Sequence, residues 1–125
     1  MAKFLIPFLL IVGLYAQEPY KIGPEVSAPV PIYKLEPAYT QEAKEAKLEG
    51  TVVLSIVIDS AGKVSQANVM RNRLVFKETG AEANEDLGLA KKAVDCVVQW
   101  KFKPAQKDGK PVAVKATVEM NFRLM

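Results

Sequence analysis

The chain has 125 residues, half of them hydrophobic and a quarter charged, and its 17 basic and 14 acidic side chains leave a net charge of +3. That is room for one packed domain and too little for two. Basic residues alternate with acidic ones and never cluster in fives, so a nucleic-acid footprint is missing. Without histidine, and with Cys96 as the lone cysteine, an intramolecular disulfide and the Ser-His or Cys-His pairings of covalent catalysis are excluded.

From the N-terminus, Lys3 precedes an unbroken apolar run from Phe4 to Tyr15, 12 residues long. A membrane-spanning helix needs about 20 apolar residues. The run, closed by Ala16 before Gln17, matches a signal peptide over residues 1–16, with a short N-terminal anchor as the alternative. The mature chain is therefore expected to be secreted. Residues 17–38 carry Pro19, Pro24, Pro29, Pro31 and Pro37, and proline biases itself and the preceding residue toward extended geometry. They read as an extended arm whose second half, with Val30, Ile32, Tyr33 and Leu35, lies against the domain of residues 39–125.

Thr40 is placed to cap a short helix from Gln41 to Leu48, ended at Gly50. Gly50 to Asp59 is β-branched and predicts a strand, with Val52, Leu54, Ile56 and Ile58 on one face. Val53 and Val57 make its other face partly apolar, as in a central strand covered on both sides. Ser60-Ala61-Gly62 forms a turn and Val64 to Met70 returns, making a β-hairpin. Residues 71–85 read as a long loop. Asp86 caps a helix from Leu87 to about Trp100, in which Leu89, Ala93, Cys96, Val97 and Trp100 share one face. Asp108-Gly109 makes another turn. From Val112 to Leu124 apolar and polar residues alternate, which predicts a strand with one face on the core and one in water. The expected fold is α+β: short helix, hairpin, helix and final strand, with a three-stranded antiparallel sheet packed on the helices.

The acidic residues are the remaining route to acid–base chemistry, and their positions argue against it. Asp59 closes a turn, while Glu82, Glu85 and Asp86 sit in a loop and at a helix start, where negative charge is favoured for structural reasons. The Gly-Lys pairs at 62–63 and 109–110 lack P-loop spacing. No enzyme and no cofactor is expected. Trp100 and Phe102 are expected to pack on the sheet. The final strand must leave one side as a sheet edge, which proteins either blunt or use. Lys115, Glu119 and Arg123 suit blunting. The alternative is strand addition by a partner, and Val118 is read as one of the N–H donors on that edge.

Several segments together resemble the C-terminal domain of TonB-type energy transducers. They are Glu36-Pro-Ala-Tyr39, Gly50-Thr-Val-Val-Leu54, the Asp59-to-Gly62 turn, Trp100-Lys-Phe-Lys-Pro104, Asp108-Gly-Lys-Pro-Val112 and Val118-Glu-Met-Asn-Phe-Arg-Leu124. The resemblance covers roughly residues 26–125. It implies a periplasmic module that binds the N-terminal motif of TonB-dependent outer-membrane transporters, and coupling to inner-membrane motor proteins. The implied edge is Val114, Lys115, Ala116, Thr117, Val118, Glu119, Met120, Asn121 and Phe122, which is also where a homodimer would form. Tyr39-Thr40 replaces the family's usual Tyr-Pro, and the stretch at 71–85 is longer than usual. An arm of about 20 residues reaches only about 70 Å fully extended. A stand-alone structural or inhibitory envelope protein of the same fold is the second reading.

Overall fold

A computed structural model describes residues 18–125. The segment read as a signal peptide or short anchor, 1–16, lies outside the described residues. Among those described, no helix is long and apolar enough to cross a membrane.

The arm contributes two strands, β1 (Tyr20–Lys21) and β2 (Val30–Tyr33). Helix α1 (Gln41–Glu45) starts where expected, because Thr40 Oγ1 accepts the Ala43 N–H at 3.1 Å. It is shorter than predicted. Lys47, at φ 54°, turns the chain before Gly50 is reached, and β3 (Leu48–Ile58) follows at once. Gly50 thus lies inside the strand rather than ending the helix. Its φ is 144°, and a Cβ there would sit 2.0 Å from the Arg73 carbonyl oxygen, so only glycine lets the two strands approach.

The hairpin is completed by β4 (Val64–Phe76). Asp59 organises its turn: one carboxylate oxygen accepts the Ala61 and Lys63 N–H groups, each at 2.9 Å. Residues 71–76, expected in a loop, instead continue β4. Charged side chains at Arg71 and Arg73 hid the alternation, and an extra residue at Met70 shifts its phase, since Val53 pairs with Arg71 but Leu54 with Val69.

Helix α2 (Leu89–Val97) is also shorter than the predicted 87–100. Asp86 does anchor its start, accepting the Gly88 and Ala90 N–H groups at 2.9 and 3.3 Å. Leu89, Ala93, Cys96 and Val97 are buried as the periodicity requires. Strands β5 (Lys101–Lys103), β6 (Ala105–Lys107), β7 (Lys110–Val112) and β8 (Val114–Phe122) complete the chain. The alternating run is therefore cut at Ala113: Val112 belongs to a small ribbon, β6–β7, joined through Asp108-Gly109.

The main sheet has the order β1–β8–β3–β4, so it has four strands, not three. Its three long members form the expected antiparallel sheet, and β1 adds a two-residue parallel rung. A second ribbon pairs β2 with β5. Leu54, Ile56, Ile58, Val114 and Phe122 share one water-excluding core with the buried face of α2. Val53 and Val57 face away from this core. They are buried between cross-strand neighbours, Arg71 with Glu119 and Gln66 with Lys115, rather than under a second layer.

Candidate functional site

Strand β8 pairs with β3 from Val114↔Ile58 to Phe122↔Gly50. Its side chains alternate as predicted: Val114, Met120 and Phe122 are buried, Ala116 and Val118 half-buried, and Lys115, Thr117, Glu119 and Asn121 turn outward. Phe122 is held edge-on by Tyr39, with ring centroids 5.6 Å apart.

The phase of the backbone follows from one bond. The Tyr20 N–H donates to the Ala113 carbonyl oxygen at 2.9 Å, so Ala113 points its polar groups away from β3. Alternation then aims the N–H and C=O of Lys115, Thr117, Glu119 and Asn121 at the outer edge, and those of Ala116, Val118 and Met120 at β3. This corrects the sequence reading of Val118, whose N–H belongs to the ladder with Leu54.

The edge is not open along its whole length. Strand β1 covers Val114 and Lys115 in parallel register. The arm then turns away, and from Ala116 to Phe122 the outer side of β8 has no strand partner among the described residues.

Beside this free stretch lies a groove of about 310 Å³, floored by Ile56, Ala116 and Val118 and walled by Pro29, Pro31 and Trp100. A hollow of about 220 Å³ between Lys34–Pro37 and Glu119–Asn121 adjoins it. The far wall is fixed by the Leu35 carbonyl, which accepts the Trp100 indole N–H at 3.0 Å and the Cys96 thiol at 3.1 Å. The Lys34 ammonium sits 5.0 Å from the Trp100 ring centroid. Burial pushes the Cys96 thiol pKa up, so it is held as a neutral donor rather than a reactive thiolate. Trp100 and Phe102 are largely buried, as expected, and their part in the groove is to build its wall.

Sequence reasoning missed the second edge. The outer side of β4 is bonded near its end, where Leu74 O accepts from Ala83 N and Phe76 N donates to Ala81 O, both at 2.9 Å. Its earlier part has no strand partner among the described residues, but it is distorted: register shifts at Met70 and Ser65 break the rungs, and Arg71 and Arg73 are exposed on it. The edge of β8 is the regular one, with apolar surface beside it. Among the described residues, no three His, Cys, Asp or Glu side chains come close enough to hold a metal ion.

Comparison with known proteins adds a family and a fold. Residues 36–124 match the family described as the Gram-negative bacterial TonB protein C-terminal. The chain is 32% identical over 91 residues to "Protein TonB" of Vibrio cholerae; the match covers 73% of this chain and 33% of that protein. The chain thus spans about a third of that relative's length. A solution structure of the Pseudomonas aeruginosa TonB C-terminal domain superposes with a TM-score of 0.56 at 21% identity, covering 80% of this chain and 87% of that one.

Proposed function

The chain belongs to the Gram-negative TonB C-terminal family, and from that premise we propose that it is a periplasmic module that grips the N-terminal motif of TonB-dependent outer-membrane transporters by strand addition to β8. A single observation carries the reading. Among the described residues, the outer backbone groups of Thr117, Glu119 and Asn121 lack a strand partner, and the half-buried side chains of Ala116 and Val118 beside them floor a largely apolar groove. An unpaired edge of that kind offers main-chain bonds for affinity and alternate pockets for selection. The chain's own β1, paired in parallel at Val114 and Lys115, supports the reading.

The docked peptide is extended. Its residues facing Ala116 and Val118 are apolar and the intervening ones polar. In the same reading, the module takes part in energy-coupled transport through whatever joins it to inner-membrane motor proteins. Self-pairing of two β8 edges is the competing occupancy, opposed by the exposed charges of Lys115 and Glu119.

The test is a titration of the isotope-labelled chain with the N-terminal segment of a TonB-dependent transporter. Saturable shifts centred on the amides of Thr117, Glu119 and Asn121 are expected. No binding, or shifts centred on Ser65 to Arg73, overturns the reading. Concentration-dependent dimerisation that the peptide does not dissociate assigns the edge to self-association instead.

A further inference from the structure

We infer that the segment Tyr20–Val26 is a register stop that fixes where a partner strand begins and how long it is; this rests on the strand-addition reading above. Strand β1 occupies the first two rungs of the β8 edge, opposite Val114 and Lys115. It then reverses. The N–H and C=O of Gly23 and Val26 bond reciprocally at 3.1 and 3.2 Å, turning the chain through Pro24-Glu25 and off the sheet.

The segment is anchored at both ends. On one side the Tyr20 N–H holds Ala113, and the Lys107 ammonium lies 4.8 Å from the Tyr20 ring centroid. On the other, Val26 is 6% exposed and bridges to Lys107. Ser27 and Gln106 are joined by three further bonds: Ser27 N–H to the Gln106 carbonyl at 3.0 Å, Gln106 N–H to Ser27 Oγ at 2.9 Å, and a longer one from the Ser27 hydroxyl to the same carbonyl at 3.5 Å. A flexible linker would make none of these contacts. The bend at Gly23 therefore stands as a wall at the Ala116 end of the edge.

The other end is also fixed. Strand β8 stops at Phe122, and the Leu124 N–H is taken by the Glu49 carboxylate at 2.7 Å. The free window is Ala116–Phe122, and three residues within it, Thr117, Glu119 and Asn121, offer outward backbone groups. A partner strand of about seven residues fills this window at the strand's rise of about 3.3 Å per residue. Further residues find Lys115 and Ala113 already bonded to β1.

The experiment compares the native chain with Tyr20→Pro, which lacks the N–H that holds Ala113, using nested transporter N-terminal peptides of 5, 7, 9 and 11 residues. In the native chain, affinity rises to about seven residues and then changes less than about twofold. In Tyr20→Pro, the step from seven to nine residues tightens binding on the order of tenfold, because rungs at Lys115 and Ala113 become available. Equal length dependence in both chains overturns the stop. Hydrogen exchange on the native chain tests it without a variant. The Tyr20 amide stays protected when a nine-residue peptide binds; loss of its protection means that the arm is displaced and sets no register. If neither chain binds any peptide, strand addition itself fails and takes this inference with it.

Discussion

Two neighbouring proline substitutions separate docking from folding. At Thr117 the N–H points outward, so Thr117→Pro leaves the nine β3–β8 register pairs in place and withdraws one donor from an incoming peptide. Losing that bond and crowding the edge with the ring amounts to about 1.5 kcal/mol, or roughly tenfold in Kd. At Val118 the N–H points inward at β3, opposite Leu54, which is fully buried. Val118→Pro breaks a ladder bond beside the core, leaves a buried carbonyl unmatched and forces the ring against β3, costing about 3 kcal/mol of stability. The assay pairs a urea midpoint with a peptide Kd for each variant. Thr117→Pro is expected to keep its unfolding free energy within about 0.5 kcal/mol and lose binding, while Val118→Pro loses stability first. The opposite pattern, a stable Val118→Pro and an unfolded Thr117→Pro, would refute the backbone phase taken from the Tyr20–Ala113 bond.

Three further outcomes follow from the fold. Gly50→Ala must push a Cβ into the Arg73 carbonyl at a φ that side chains rarely adopt, so it should lose about 3 kcal/mol in a denaturant melt. Thr40→Ala removes both the cap on α1 and the hydroxyl that donates to the Leu87 carbonyl at 2.6 Å, costing about 1–2 kcal/mol by the same measurement. Burial, and then the Glu49 carboxylate, raise the Tyr39 pKa, and its hydroxyl donates to the Leu48 carbonyl at 2.8 Å. The neutral phenol is thus favoured in the folded state. This stabilisation is complete below the unfolded phenol's pKa of about 10 and is lost as pH climbs through the raised value. Ultraviolet titration should show Tyr39 ionising above the ordinary phenol range, and Tyr39→Phe should remove that part of the alkaline stability loss.

The sequence was most legible where one residue period met one environment. The buried stripe of α2 and the alternation of β8 follow from spacing alone, and Thr40 caps as its chemistry suggests. Boundaries failed where tertiary contacts override local pattern. Gly50 looks like a helix stop because the approach of Arg73 that demands glycine lies 23 residues further on. Residues 71–76 look like a loop because a strand with one wet face carries arginines there, and the bulge at Met70 breaks its period. The candidate edge was legible as a strand but not in its phase or its free length. Both depend on Tyr20, more than 90 residues away in sequence from Ala113. Proline content described the arm as extended; only the buried Val26 and the Ser27–Gln106 bonds show that its first half is docked.

The unequal seams on either side of β8 have a mechanical consequence. Along its inner side the strand is stitched to β3 at nine register positions with a packed core behind it. Along its outer side three residues offer backbone groups to a guest. A load drawn along the guest strand shears all of its rungs together, yet meets fewer bonds there than hold β8 in the sheet. A strand docked as proposed would therefore slip before β8 is stripped from the sheet, leaving the domain intact to engage again.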